Sequence, residues 1–154
     1  MSKKIVIVYA SNSGSTFLVG EIIADILGRK HKIVIQKAVD TRPDDLLKYD
    51  IFIFGSPSWS APGLGEGFPQ ETMTAFIKSC AGLDLSGKKC AAFGCGDSSY
   101  TLFCGAVNQL EKFMADLKGD RLINSLRIDG YFFDRPKNIA LVKKWARSLL
   151  SKIA

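Results

Sequence analysis

Phe93-Gly94-Cys95-Gly96-Asp97-Ser98-Ser99-Tyr100-Thr101-Leu102-Phe103-Cys104-Gly105-Ala106 is the stretch from which the rest of the chain can be read. An apolar strand end runs into a turn that combines glycine, an acid, hydroxyls and an aromatic ring, and a helix begins directly after it. Few chemistries want that mixture. It suits a flat, polar heteroaromatic ligand, held by backbone amides along its edge and by a ring across its face.

On either side of that stretch, strand and helix signals alternate. Lys4–Tyr9 is an almost unbroken β-branched run, as a strand covered on both faces requires. Leu18, Ile22 and Ile26 recur every four residues and predict one apolar helix stripe before Gly28. Lys32–Gln36 reads as a second strand, and Pro43 with Asp44 and Asp45 opens a brief helix, since proline and acids suit a first turn. Asp50–Gly55 is a third strand. Ser56–Gln70, rich in proline and glycine, reads as an irregular functional loop. Glu71–Cys80 is then helical, Lys89–Gly94 the fourth strand, Ala106–Leu117 a helix, and Leu122–Asp129 a fifth strand with a break near Asn124-Ser125. Ile139, Val142, Trp145, Ala146, Leu149, Leu150 and Ile153 mark a final amphipathic helix. Strands alternating with helices predict an α/β fold, a parallel sheet with helices on both faces. Such sheets bind ligands outside the carboxyl ends of their strands, where the winding reverses.

Bulk properties agree with this. At 154 residues the chain reads as one domain, 1–154, able to bury a core without disulfides or metals. No apolar run reaches the ~18 residues of a membrane span. Met1-Ser2-Lys3-Lys4 opens straight into Ile5-Val6-Ile7-Val8, which is not a signal-peptide pattern, so a cytoplasmic location is expected. Cys80, Cys90, Cys95 and Cys104 form no Cys-x-x-Cys pair, and the one histidine, His31, is distant, so these cysteines read as buried thiols rather than metal ligands. The formal net charge of +6 raises nucleic acid or another polyanion as a partner until the charges are placed.

Three loops leave strand carboxyl ends with unusual chemistry. Ser11-Asn12-Ser13-Gly14-Ser15-Thr16 enters the first helix. Its short hydroxyl side chains and single glycine let backbone N–H groups turn inward around an anion, and the helix N-terminus adds partial positive charge. The plainer reading is a Ser/Thr helix cap, but a cap needs one such residue and here five of six positions carry a hydroxyl or amide. With no Lys or Arg inside the loop, amides and hydroxyls would hold a phosphate alone. The loop matches neither Gly-x-x-x-x-Gly-Lys-Ser/Thr nor Gly-x-Gly-x-x-Gly, which disfavours nucleoside triphosphates and dinucleotides. The second loop, Gly55–Pro69, holds Trp59, either as a lid over the domain's own apolar edge or as a plate for a ligand. In the third, the opening stretch, Tyr100 is a second ring, or else anchors its own loop by its hydroxyl. One phosphate cradle and two aromatics on neighbouring strand ends describe a phosphate-bearing ligand with a large stacking ring.

Over essentially its whole length the chain resembles the flavodoxins, specifically the short-chain kind. The family signature Ser/Thr-x-Thr-Gly-x-Thr is answered by Ser11–Thr16. The opening stretch with Leu126-Arg127-Ile128-Asp129-Gly130 is close to Desulfovibrio-type flavodoxins, and no long extra loop splits the fifth strand. The resemblance implies a flavodoxin-like three-layer sandwich, its five-stranded parallel sheet in the order 2-1-3-4-5 with FMN at the reversal point, which is the family's own architecture rather than a reading of this chain. It further implies cofactor contacts from Ser11, Asn12, Ser13, Gly14, Ser15 and Thr16, and from Pro57, Ser58 and Ser60. Trp59 would cover one face of the isoalloxazine and Tyr100 the other. Asp97 would sit beside the pyrimidine ring with the backbone of Cys95, Gly96, Phe103 and Cys104. A carboxylate there opposes further negative charge on the flavin and makes it strongly reducing. The implied function is a low-potential one-electron carrier, a monomer cycling FMN between semiquinone and hydroquinone, with no catalytic residue of its own. Its partners would be larger redox proteins, a reductase as donor and an oxidoreductase as acceptor.

The chain departs from the family in four places. Ser13 and Ser15 stand where threonine and asparagine are usual, but hydroxyl donors survive. Ser60 follows Trp59 where close relatives commonly have glycine, in a peptide that turns its carbonyl toward flavin N5. A residue other than glycine spends roughly 1–2 kcal/mol on left-handed geometry, so a less stabilised semiquinone is expected. The loop Ala61–Pro69 is longer and glycine-rich, with Glu66 its only charge. Finally, flavodoxins are usually acidic. Placing the charges on the expected sheet puts the basic excess, Lys3, Lys4, Lys32, Lys88, Lys89 and Lys152 among them, at the end away from the site. The flavin rim keeps Asp97, Asp129, Asp134 and Glu66, an acidic surface for a partner's basic patch.

Two other functions fit less well. An FMN-dependent NAD(P)H:quinone-type oxidoreductase on the same fold would need a second substrate site, usually built by longer insertions and a dimer contact. A nucleic-acid module would use the basic end, but no aromatics interleave with those lysines. No nucleic acid and no membrane partner is expected.

Overall fold

Alternation within the strands decides the layers. In the computed structural model, which describes residues 1–61, 65–99 and 102–153 apart from the side chains of 59–61, β1 (Lys4–Tyr9) sends Ile5 and Ile7 to one face and Val6 and Val8 to the other. β3 (Ile51–Ala61) repeats this with Ile51 and Ile53 against Phe52 and Phe54. β5 (Lys89–Gly96) does so with Ala91 and Phe93 against Cys90 and Ala92. A strand apolar on both sides is stable only between two helical layers. α1 (Ser15–Leu27) and α4 (Arg135–Lys152) cover the first face with Val19, Ile23, Val142 and Leu149. α2 (Glu71–Ser79) and α3 (Gly105–Asp116) cover the second, where Phe54, Phe76 and Phe113 pack with ring centroids 5.2–6.3 Å apart.

The sheet runs β2-β1-β3-β5-β6, with β2 (Lys32–Lys37) at one edge and β6 (Asp120–Arg121) at the other, and these pairings are parallel. Of the fifth strand expected over Leu122–Asp129 only the second half is strand, and a short piece ahead of the expected start fills the first position. β6 pairs with the start of β5 at Lys89, and β7 (Leu126–Asp129) with its end, Gly96 opposite Asp129. Between them the Asn124 carbonyl accepts the Trp145 indole N–H at 2.8 Å and Ser125 Oγ donates to Glu111 Oε2 at 2.7 Å. Those bonds replace the ladder where the break was expected. No helix among the described residues is long and apolar enough to cross a membrane.

Two expectations change. The described residues of Ser56–Gln70 are not irregular: β3 continues to Ala61 and β4 (Gly65–Pro69) pairs with it antiparallel, Ser58 opposite Pro69 and Ala61 opposite Gly65, with a bulge between Trp59 and Ala61. Pro57, Gly65, Gly67 and Pro69, which look like loop punctuation, sit in these two bulged strands, where such residues are tolerated. The buried face of α1 is Val19, Gly20, Ile23, Ile26 and Leu27, with Leu18 and Ile22 only at its margin. The brief helix expected at Pro43 is present as the 3-10 helix Pro43–Lys48, with Asp44 and Asp45 in its first turn.

Candidate functional site

The Ser11–Thr16 loop crosses the carboxyl end of the sheet. The Ala10 N–H donates to the Gly55 carbonyl at 3.0 Å, tying the loop's start to β3. Ser11 Oγ accepts the Gly14 N–H at 3.1 Å, and Gly14 itself sits at φ +92°, a conformation glycine adopts without steric cost. Among the described residues no side chain caps α1, so the loop's hydroxyls are not helix caps, and the N–H groups of the first turn, which have no partner within the helix, are left without a side-chain acceptor. Thr16 is fully buried, and its Oγ1 is the one buried side-chain polar atom among the described residues without a hydrogen-bond partner. The nearby Cys95 thiol feels the hydroxyls of Ser15 and Thr16, but burial dominates and pushes it up to about 11. Asn12 Oδ1 accepts from Gln70 Nε2 at 3.3 Å, and Gln70 caps α2 through the Thr72 N–H at 2.7 Å, which links this loop to the next.

Contacts distant in sequence hold the hairpin over the site. Ser56 Oγ accepts the Gln70 N–H at 3.0 Å, and Ser58 Oγ accepts the Ala106 N–H at 2.9 Å, capping α3. At Gly105, the first residue of α3, a Cβ would lie 2.5 Å from Gly67 Cα, so β4 and α3 meet backbone to backbone. The third loop is fastened from the opposite side. Asp97 Oδ1 accepts the Ser99 N–H and Asp129 Oδ1 the Ser98 N–H, each at 2.9 Å, while the Gly130 N–H donates to the Gly96 carbonyl at 2.8 Å. The bonds from Ser98 hold the Asp129 carboxyl below the usual carboxylate range.

These elements enclose a cavity of about 550 Å³. It brings together Ser13 and Ser15 from the first loop, Pro57 and Ser58 from the second, and Cys95, Gly96, Asp97 and Cys104 from the third. Ser11, Asn12 and Gly14 open instead on a neighbouring cavity of about 220 Å³ shared with Tyr9, Phe17 and Lys37. Phe103 is half-buried and lines neither, and Asp97 is half-buried rather than enclosed. The side chains of Trp59 and Ser60, and Tyr100 altogether, lie outside the described residues. All four cysteines are buried as expected, and burial lifts Cys104 to about 12.

Other walls of the large cavity come from residues outside the expected cofactor contacts: Glu66, expected only at the rim, and Gly67 on β4, Leu102, and Gly130–Phe133 after β7. Gly67 was hidden by the loop expectation for 56–70. The last carried a signal, three consecutive aromatics placed after a strand end and before the Asp134-Arg135-Pro136 helix start, where no core awaits two of them.

A family model described as Flavodoxin matches residues 7–131 of this chain. A flavodoxin of Maridesulfovibrio salexigens is 35% identical over 155 residues, 99% of this chain and 100% of that protein. The crystal structure of oxidised Flavodoxin 2 from Bacillus cereus is similar with a TM-score of 0.87 at 32% identity, covering 97% of this chain and 99% of that one. A Fusobacterium nucleatum flavodoxin bound to flavin mononucleotide has the same fold, with a TM-score of 0.84 at 15% identity and 99% of each chain covered.

Proposed function

The chain belongs to the flavodoxin family, whose members are electron-transfer proteins, and from that premise we propose that it is a low-potential one-electron carrier holding FMN non-covalently between larger redox proteins. One observation carries the reading: Thr16 Oγ1, in the uncapped first turn of α1, lies fully buried with no partner among the described residues. An unsatisfied buried hydroxyl costs about 1–3 kcal/mol, and an anion seated in the loop removes that cost. The residues therefore fit a flavin phosphate, with Ser13, Ser15, Thr16 and the α1 amides as its donors and with Ser11, Asn12 and Gly14 shaping the turn.

When bound, the flavin supplies the electron chemistry. The protein binds it, orients it and keeps water from it. Pro57 and Ser58, with the backbone of Cys95 to Asp97 and Cys104, wall the ring end of the cavity. Trp59 and Tyr100 are proposed as the ring's two plates, Ser60 and Phe103 as backbone contacts, and Asp97 as the charge that disfavours an added electron. Glu66 and Asp97 line the cavity at this end, while Lys3, Lys88, Lys89 and Lys152, with Asp50 their one acid, line a cavity at the other. Such polarity favours a partner whose docking face carries lysine and arginine.

Titration of the apoprotein with FMN, followed by stepwise reduction monitored by visible absorption, tests this. We expect tight binding and two separate one-electron stages. Protein that cannot be reconstituted with FMN would overturn the reading, and rapid NADPH oxidation by the isolated protein would move it to a reductase.

A further inference from the structure

Two phenylalanines stand largely in solvent at the mouth of the large cavity: Phe133 is 88% exposed and Phe132 48%. The turn that carries them is nevertheless held from several directions. Gly130 is bonded to Gly96, and the Phe133 N–H returns to the Gly130 carbonyl at 2.9 Å. Buried Asn138 directs its side-chain amide at the carbonyls of Asp129, Gly130 and Tyr131, 3.2–3.3 Å away. Tyr131 is packed into the core below, and the Arg135 guanidinium lies 5.7 Å from the centre of the Phe132 ring. The Phe133 ring itself is laid on Gly130, where a Cβ would come within 2.5 Å of it.

Apolar rings fixed in place and left uncovered carry a standing free-energy cost that a bound molecule relieves. The cavity they border also contains Ser13, Ser15 and the Cys95–Asp97 backbone, because α4 begins beside the start of α1. We propose that Phe132 and Phe133 form a further aromatic wall for the bound flavin. They are positioning residues that contact its uncharged part. Phenylalanine offers a π face and no hydrogen-bond donor, so this wall recognises the ring and ribityl portion and is indifferent to the phosphate. The assignment rests on the FMN reading above.

The test uses the full-length apoprotein titrated with FMN and, separately, riboflavin, followed by flavin fluorescence. Phe132→Ser and Phe133→Ser should each weaken both flavins about tenfold and by equal factors, with faster dissociation, and Phe133→Tyr should restore wild-type affinity. Unfolding midpoints of the apoproteins should not move, since the rings are largely exposed. Unchanged affinities in the Phe132→Ser/Phe133→Ser double variant would overturn the proposal and leave these rings to a protein partner. A loss confined to FMN, or a lowered midpoint that Phe133→Tyr does not repair, would overturn it as well. Wild-type protein that binds neither flavin would instead overturn the cofactor reading itself.

Discussion

The Ser11–Thr16 loop and the β3–β4 hairpin adjoin across the Asn12–Gln70 bond, and both use serine and glycine, Ser11 and Gly14 in the one and Ser56, Ser58 and Gly67 in the other. They are held by different means. The loop closes on itself, Ser11 Oγ to the Gly14 N–H, three positions apart. The hairpin is seated by groups far along the chain: Ser58 against Ala106, 48 positions away, and Gly67 against Gly105. Identical residue types therefore build a self-contained cradle in one place and a docked flap in the other. The two also differ in their hydroxyls, since Thr16 Oγ1 has no partner among the described residues while Ser56 and Ser58 bond to the protein.

Gly105→Ala should break the comparison most severely. Its Cβ would meet Gly67 Cα at 2.5 Å and the Gly67 carbonyl oxygen at 2.9 Å, backbone that cannot rotate aside. We expect a loss toward the upper end of the roughly 1–3 kcal/mol typical of overpacking. Gly14→Ala has open space around it and only its φ of +92° to contend with, costing about 1 kcal/mol. Urea unfolding measures both, and equal losses would mean that the hairpin is not held by this contact.

Next in size, Thr16→Val should leave apoprotein stability unchanged or raised, since it removes an unpaired buried hydroxyl. FMN affinity should fall about ten- to a hundredfold while riboflavin affinity holds. A parallel loss for riboflavin would show that Thr16 supports the fold of the cradle rather than the phosphate. On the hairpin side, Ser60→Gly should raise the semiquinone yield on stepwise reduction; a yield that did not rise would remove Ser60 as the reason for a weak semiquinone.

The smallest effect is far from both regions. His31 Nδ1 accepts the Lys3 N–H at 3.0 Å, and burial together with the N-terminal amine, Lys30 and Lys3 holds the imidazole below its ordinary 6.5. The folded state thus binds fewer protons than the unfolded one. This contribution is complete above pH 6.5 and is lost as pH falls from there through the folded-state value. Urea midpoints compared at pH 7.5 and 5 should show a small decline in the wild type that His31→Asn flattens, with the FMN-site variants retaining it.

Much of the fold was legible because its signals are local. Ile5-Val6-Ile7-Val8 and Ile51-Phe52-Ile53-Phe54 can be stable only when both faces are covered, whatever the rest of the chain does. The turn at Ser11–Thr16 was legible through hydroxyls and a glycine that act within a few positions of one another. The face of α1 was harder, because Leu18 and Ile22 recur with the same spacing as Val19 and Ile23, and the choice rests with Ile7 and Phe93, which lie 3.7–3.8 Å from a Cβ placed at Gly20. The strand character of residues 56–61 and 65–69 was hidden behind prolines and glycines, and the place of Phe132 and Phe133 at the cavity mouth was signalled only by three consecutive aromatics before a helix start.

By itself, the sequence determined the alternating layers, the cradle and the burial of four thiols, since each follows from side chains a few positions apart. Tertiary structure alone decided that Gly67 docks on Gly105, that Ser58 caps a helix from another part of the chain, and that the turn after β7 borders the same cavity as the turn after β1. Backbone-to-backbone packing and cavity closure join segments whose separation no local periodicity records, and there the energy of the whole assembly, not residue propensity, makes the choice.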